Sequence, residues 1–214
     1  MKTVLLGCLL MLGIMAKAQN GYQVGDVASD FSLKNVNGSK VSLADYKAAK
    51  GFIVVFTCNT CPVAKIYQAR IAALNDIYAP KGYPVIAINT NDPSASPGDS
   101  YEKMQAYAKE KKFSYVYLED QDQVYTKKYG ATKTPHVFVL QRTAKGNEVA
   151  YFGAIDNTQE GETASTTTYV SNAVNLLLEG KKPTLTNTKP LVVASNGKKK
   201  VLANNRRIVF CEAC

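Results

Sequence analysis

The sequence predicts an α/β fold in which a central mixed β-sheet is flanked by helices on both faces. Short, β-branched apolar runs first alternate with longer segments of helical periodicity, which is typical of parallel strands joined by helices. A strand hairpin followed by a helix then ends the pattern. With 214 residues, 46% of them hydrophobic, the chain is long enough for one domain with its own core.

The first elements are short strands and one buried strand. Residues 31–33 and 41–43 flank Asn37-Gly38, a dipeptide that favours a tight hairpin. Residues 51–56, GFIVVF, are continuously apolar, as expected for a strand that is buried on both faces of the sheet.

A long helix is predicted for residues 62–82. Pro62 suits a first helical turn, and Pro80 and Gly82 end the helical pattern. The apolar stripe that we expect to face the sheet consists of Ile66, Ala69, Ala73 and Ile77.

The remaining elements follow in the same alternation. In order they are a strand at 83–92, a loop at 94–100, a helix at 100–112, the segment 113–120, a short helix near 123–130, a strand at 134–141, its hairpin partner at 148–155 and a last helix at 166–183. Asp156 is expected to be a turn residue or to cap that last helix.

The first eighteen residues have the features of a cleaved secretory signal peptide. Lys2 is followed by an apolar run at 4–15 and by Ala-Lys-Ala at 16–18, so the mature chain would begin at Gln19. The apolar run is too short for a stable membrane span. A lipid anchor on Cys8 is the second interpretation, because the apolar run continues past that cysteine. We therefore expect an exported protein, periplasmic or extracellular.

Residues 19–183 are predicted to form the folded domain, and 184–214 a basic C-terminal extension that ends in Cys-Glu-Ala-Cys. The formal net charge is +9, and basic residues cluster at 198–200 and 206–207. No aromatic residues are interleaved with them to stack on bases, so we expect no nucleic-acid site. The extension is either a hairpin around Asn196-Gly197 or disordered.

Cys58 and Cys61 carry the chemistry that the sequence predicts. They lie between a buried strand and the start of a helix, where unpaired N–H groups and the helix dipole stabilise a thiolate. Their spacing lets one thiol attack a mixed disulfide formed at the other, as dithiol exchange requires. We expect Cys58 to be the more exposed, attacking cysteine and Cys61 to be the resolving one.

Two other interpretations of the cysteines are weaker. An inert disulfide between Cys58 and Cys61 would add little stability because it closes a very short loop. A metal site with Cys211 and Cys214 would not match the spacing of zinc-binding motifs, so we expect no metal and no other cofactor. Cys211 and Cys214 form either a dithiol that exchanges electrons with the first pair or a terminal or intermolecular disulfide.

The motif F-x-C-x-x-C-P, with Lys-Thr-Pro further along the chain, resembles the thioredoxin superfamily. More narrowly, residues 22–182 resemble the extracytoplasmic peroxiredoxin-like proteins of the alkyl hydroperoxide reductase and thiol-specific antioxidant (AhpC/TSA, redoxin) group. The matching segments are VGDVASDFSL, VSLADYK, CNTCPVAK, NTNDPSASPGDSYEKM, YLEDQDQVYTKKYGATKTPHVFVL and YFGAID. The resemblance implies a thioredoxin-like fold. It also implies a cis-proline loop at Thr134-Pro135 that docks an extended partner beside the cysteines.

The chain departs from the peroxiredoxin pattern at two positions. If Cys61 is the peroxidatic residue, Cys58 occupies the position of the usual Thr or Ser. No arginine lies within 132–140, where Lys133 is the nearest cation. Both departures weaken the expectation of an efficient peroxidase.

The chain also departs from thioredoxins, which have a tryptophan and a buried acid where this chain has Thr57 and Phe52. Without that acid, Lys65 is the local candidate for taking the proton of the resolving thiol, although a plain surface lysine is the simpler interpretation. His136, the only histidine, is a weak candidate for tuning the thiolate.

The sequence therefore predicts an exported thiol–disulfide oxidoreductase. Its substrates would be protein thiols and disulfides, and a redox partner protein would donate or accept electrons. A peroxiredoxin-like antioxidant that reduces hydroperoxides is the first alternative. A secreted binding module with a vestigial redox pair is the second.

Overall fold

The computed structural model describes residues 21–158 and 166–189. The strands are β1 Val27–Ala28, β2 Leu33–Asn35, β3 Lys40–Val41, β4 Gly51–Thr57, β5 Val85–Asn89, β6 Val116–Glu119, β7 His136–Thr143 and β8 Gly146–Gly153. The α-helices are α1 Pro62–Tyr78, α2 Tyr101–Glu110, α3 Val124–Tyr129 and α4 Tyr169–Leu178. The predicted leader and most of the extension, including Cys211 and Cys214, lie outside the described residues.

All eight strands form one mixed sheet in the order β1-β8-β7-β4-β5-β6-β2-β3. The central strand β4 is parallel to β5 and antiparallel to β7. Every residue of β4 is buried, as its continuous apolar pattern predicts. The Asn37-Gly38 hairpin is also confirmed, since β2 and β3 pair antiparallel on either side of it.

Alternating residues of β4 face two different cores. Ile53 and Val55 pack in the core that contains α1 and α4. Phe52, Val54 and Phe56 pack in the opposite core, which includes Tyr129 of α3. Helices therefore cover both faces of the sheet, as predicted.

Helix α1 begins at Pro62 as predicted but ends at Tyr78, and a separate 3₁₀ turn, Ala79–Lys81, occupies most of the rest of the predicted range. The predicted buried stripe is wrong. Ile66 and Ile77 are 47% and 48% exposed, and Ala69 and Ala73 are exposed as well. The helix instead buries Val63, Ala64, Tyr67, Ile71, Leu74, Asn75 and Tyr78. The two tyrosines explain the difference, because their rings pack in the core while their hydroxyls reach polar partners at its rim.

The start of the C-terminal extension pairs with the sheet. The Phe152 N–H donates to the Thr186 carbonyl, and the Thr188 N–H donates to the Phe152 carbonyl. The Thr188 hydroxyl also accepts a hydrogen bond from the Ala154 N–H. Among the helices of the described ranges, none is long and apolar enough to cross a membrane.

Asp156 forms a buried ion pair rather than a helix cap. Thr168, not Asp156, is the N-cap residue of α4. The Asp156 carboxylate lies 2.7 Å from a guanidinium nitrogen of Arg70 and accepts a hydrogen bond from the Tyr67 hydroxyl. It also accepts from the Thr158 N–H, so the expectation of a turn residue is confirmed.

Replacing Arg70 with alanine is expected to lower the free energy of unfolding by about 3 kcal/mol, because it leaves the 99% buried Asp156 carboxylate without its cation. Lys111→Ala is the control, since the Lys111–Glu110 pair is exposed and its loss should cost much less. Urea denaturation of both variants measures the difference. Equal losses would contradict a stabilising role for the buried pair.

Candidate active site

The sheet order brings the cysteine pair next to the segment that precedes β7. Because β4 and β7 are antiparallel, with Phe56 opposite His136, the end of β4 lies beside the start of β7. Cys58 therefore meets Thr134, whose peptide bond to Pro135 is cis. The Cys58 Sγ lies 3.3 Å from the Thr134 Oγ1.

Cys61 occupies the N-cap position of α1, with Pro62 as the first helical residue. At this position the unpaired N–H groups of Val63 and Ala64 stabilise a thiolate. The Cys61 Sγ also makes a long contact of 3.7 Å with the Thr134 carbonyl oxygen. Both sulfur atoms therefore contact the same residue of the cis-proline loop, and both cysteines are free thiols.

The two thiols have opposite electrostatic environments. A hydrogen bond from the Cys58 thiol, aided by Thr134 and the helix N-terminus, lowers the pKa of Cys61 against the effect of burial. The same hydrogen bond and burial raise the pKa of Cys58. Cys61 is therefore the cysteine that ionises more readily.

The expectation that Cys58 is the more exposed cysteine is wrong. Cys58 is 4% exposed and Cys61 7%, so both are buried. Thr134 and Pro135 are buried too. The physical reason is that Cys58 continues the direction of a fully buried central strand, so its side chain stays within the core.

Asp99 is a site residue that the sequence analysis missed. Its carboxylate is 2% exposed and accepts hydrogen bonds from the Asn59 N–H and the Thr60 hydroxyl, each at 2.6 Å. Asn59 and Thr60 are the two residues between the cysteines. The polar run that follows β5 could have suggested this contact, because the carboxyl ends of parallel strands lie at the same edge of a sheet.

The two weak candidates lie apart from the thiols. The Lys65 side chain is exposed on α1. His136 lies on the opposite face of the sheet, where its ring contacts Phe138 and Phe152 at centroid distances of 5.0 and 6.3 Å. Burial lowers the pKa of His136 to about 4, so the ring is neutral at pH 7.

Cys58 borders a small, partly open cavity of about 10 Å³, lined also by Gln68, Tyr107 and Tyr117. This volume suits about one water molecule and is too small for an organic ligand. Within the described ranges, no group of three or more His, Cys, Asp or Glu side chains is arranged to hold a metal ion.

The fold and the paired thiols define a thioredoxin-fold redox protein of the redoxin class. Residues 24–149 match the model of the AhpC/TSA family, and the chain belongs to that family. The chain is also 32% identical over 82 residues to glutathione peroxidase 1 of Caenorhabditis elegans. This match covers 38% of the chain and 50% of that curated relative, so the chain spans about half its length.

Solved structures of similar fold include an uncharacterized conserved protein from Geobacillus kaustophilus, 33% identical, with a TM-score of 0.70. That match covers 77% of this chain and 86% of the other. A hypothetical protein from Sinorhizobium meliloti 1021 is 29% identical with a TM-score of 0.71, over 83% and 97% of the two chains. Peroxidoxin BcpB of Mycobacterium tuberculosis, 17% identical with a TM-score of 0.50 over 61% and 84% of the two chains, shares the fold. The predicted thioredoxin-like fold is confirmed.

Replacing His136 with phenylalanine should remove a pH-dependent loss of stability. The folded pKa of about 4 lies below the usual value of 6.5, so the unfolded chain binds the extra proton first and stability falls as the pH drops from 6.5 towards 4. Between pH 8 and pH 5 this protonation lowers the free energy of unfolding by about 2 kcal/mol.

Urea denaturation of the wild type and of His136→Phe at the two pH values measures this difference. Neither ring nitrogen has a hydrogen-bond partner among the described residues, so phenylalanine should not disturb a polar network. A pH dependence that is the same in both proteins would contradict the prediction.

Proposed function

We propose that the protein is a thiol–disulfide oxidoreductase in which Cys58 and Cys61 alternate between a dithiol and a disulfide. The observation that supports this most strongly is the contact of both sulfur atoms with Thr134, at 3.3 and 3.7 Å. Dithiol exchange requires the two thiols to lie near each other, and their contact with one residue places both at the same loop. Membership of the AhpC/TSA family supports the same chemistry.

In this proposal Cys61 attacks and Cys58 resolves, the reverse of the order that the sequence suggests. The Cys61 thiolate attacks one sulfur of a substrate disulfide, forming a mixed disulfide and releasing the first substrate thiolate. Cys58 then gives its proton to the released substrate thiolate and attacks the Cys61 sulfur, which releases the second thiolate and leaves the Cys58–Cys61 disulfide. A dithiol partner protein reduces that disulfide again, and the same steps in reverse oxidise a dithiol substrate.

The Thr134-Pro135 loop is the proposed docking segment for a protein substrate. The Thr134 carbonyl already contacts Cys61, so a docked chain would lie within reach of the attacking sulfur. Both residues of the loop are buried, which means that a protein substrate needs local opening at this edge.

Hydroperoxide reduction is the second candidate, and the burial of both thiols favours it. A hydroperoxide is small enough to reach a cysteine residue that is only 7% exposed, whereas a folded protein is not. The Cys61 thiolate would attack the terminal peroxide oxygen and break the O–O bond, becoming a sulfenic acid, while the leaving oxygen takes up a proton from solvent and departs as water or an alcohol. The Cys58 thiol would then condense with the sulfenic acid, forming the disulfide and water.

The arginines of the described ranges do not support that second candidate. Arg70 is paired with Asp156, and Arg142 donates to the carbonyl oxygens of Leu43 and Tyr46. A peroxide at Cys61 would therefore depend on the helix N-terminus for polarisation.

Variants in which one of the two cysteines is replaced test the proposed exchange and the roles of Cys58 and Cys61. Cys61→Ser and Cys58→Ser should each reduce insulin-disulfide reduction to the uncatalysed level, because each removes one half of the exchange. Only Cys58→Ser should accumulate a mixed disulfide with substrate, detected by mass spectrometry at Cys61. A mixed disulfide trapped on Cys58 in Cys61→Ser would reverse the assigned roles.

Peroxide consumption measured on the same proteins separates the alternatives. Consumption that is lost in Cys61→Ser, without insulin reduction in the wild type, supports the hydroperoxide reductase. Fully reduced wild type with neither activity supports a binding module with a vestigial pair.

We also infer from the leader that the protein is exported. Expressed with residues 1–18 in a secreting bacterial host, it should leave the cytoplasm and begin at Gln19, as intact-mass measurement would show. A mature chain beginning at an acylated Cys8 would support the lipid anchor instead. Retention in the cytoplasm at full length would contradict export.

A further inference from the structure

Asp99 lies in the short turn Pro97–Asp99, directly before α2, and is almost fully buried against the loop between the two cysteines. Five donors, all within 3.1 Å, surround its carboxylate: the Asn59 N–H and the side chains of Thr60, Asn89, Asn91 and Ser96. None of these donors is a cation, and no ion pair of the described residues includes Asp99. The negative charge is therefore balanced by hydrogen bonds alone.

These contacts fix the conformation of the loop between the cysteines. The Asn59 N–H follows Cys58 directly in the chain, and the Thr60 hydroxyl belongs to the residue before Cys61. The Asn59 side chain is held as well, by the Gly98 carbonyl and the Tyr117 hydroxyl. Gly98 permits this close approach, because a Cβ there would lie 2.6 Å from the Thr60 Cγ2.

The same contacts put a negative charge one peptide group from Cys58. The other titratable groups that face Cys58 are Cys61, Tyr107 and Tyr117. Burial raises the pKa of both tyrosines, so they are neutral at pH 7. The hydrogen bond to Cys61 and burial are the larger causes of the raised Cys58 pKa, and among the described residues Asp99 is the charged side chain that adds to them. Cys61, in contrast, lies at the positive end of α1.

We propose that Asp99 is a positioning residue that assigns different roles to the two cysteines: its carboxylate fixes the loop between them and keeps Cys58 protonated, which leaves Cys61 as the attacking thiolate. The inference rests on the proposed exchange chemistry and adds to it the reason for the order of the two steps. The order requires that the carboxylate does not keep Cys61 protonated as well. The N–H groups at the start of α1 meet this requirement, because they stabilise the Cys61 thiolate.

The test measures how the alkylation rate of Cys58 depends on pH in the full chain, with Cys61→Ser present so that Cys58 titrates without a coupled thiol. Iodoacetamide labelling followed by peptide mass spectrometry distinguishes Cys58 from the other cysteines. Adding Asp99→Asn should lower the midpoint of the Cys58 profile by about one pH unit, because a nearby like charge is removed. Adding Asp120→Asn should leave it unchanged, since Asp120 is another buried carboxylate that instead binds Thr126 at the start of α3.

Loosening of the loop could also lower the midpoint, by admitting water to Cys58, and Thr60→Val separates this effect from the charge. Valine removes the hydroxyl that donates to Asp99 but leaves the Asp99 carboxylate in place. Because one hydrogen bond fewer then balances the negative charge, the proposal predicts that the midpoint of the Cys58 profile rises. A midpoint that falls in Thr60→Val, or one that stays unchanged in a folded Asp99→Asn variant, would overturn the proposal.

If Asp99→Asn does not fold, as circular dichroism would show, the Thr60→Val result still decides: a midpoint that rises supports the proposal, and one that falls or stays unchanged overturns it. The alkylation profile does not depend on catalytic turnover, whereas insulin reduction by the wild type reports the proposed function. Failure of the proposal for Asp99 can therefore be distinguished from failure of the proposed thiol–disulfide exchange.

Discussion

The position of β4 between a parallel and an antiparallel neighbour is the constraint on which the site depends. Because β4 and β5 run in the same direction, the cysteine loop and the polar segment after β5 leave the sheet at one edge. Because β7 runs the other way, its start reaches that edge as well. Three segments that are distant in the sequence therefore meet at the N-terminus of α1, and no one of them contains the site alone.

The two cysteines show how strongly the local environment can change the ionisation of chemically identical thiols. They are three residues apart and both are buried, yet one follows a central strand and the other caps a helix. A capping thiolate replaces hydrogen bonds to water with bonds to unpaired N–H groups, whereas a thiolate at the end of the strand would lie next to a carboxylate. In the proposed exchange, the order in which the two cysteines react follows from this difference rather than from exposure to solvent.

Much of the fold could be predicted from the sequence because the relevant features are local. Continuous apolar runs identify buried strands, Asn37-Gly38 identifies the hairpin, and Pro62 marks the start of α1. The position of Cys58 and Cys61 at a strand–helix junction followed from the same features, and the cis bond at Thr134-Pro135 followed from the family resemblance.

Other features depend on packing between distant segments, and the sequence does not reveal them. The aliphatic stripe of α1 predicts a buried face about one residue out of position, because the rings of Tyr67 and Tyr78 pack in the core beside Ile71 and Leu74. Asp99 lies in a segment that has the composition of an ordinary surface loop, and only the sheet order brings it to the cysteines. His136 follows the cis-proline closely, but the alternation of side chains along β7 turns it to the opposite face.

The outer edge of β8 is covered at two points: Glu148 pairs with β1, and Phe152 bonds to the segment 186–188. Gly153 makes the second contact possible, because a Cβ at this position would lie 2.4 Å from the Thr188 carbonyl oxygen. A side chain there would push the segment away and leave the Phe152 N–H and carbonyl unpaired at the edge of the sheet. Such edges recruit strands from other molecules, so this glycine also protects the protein against aggregation.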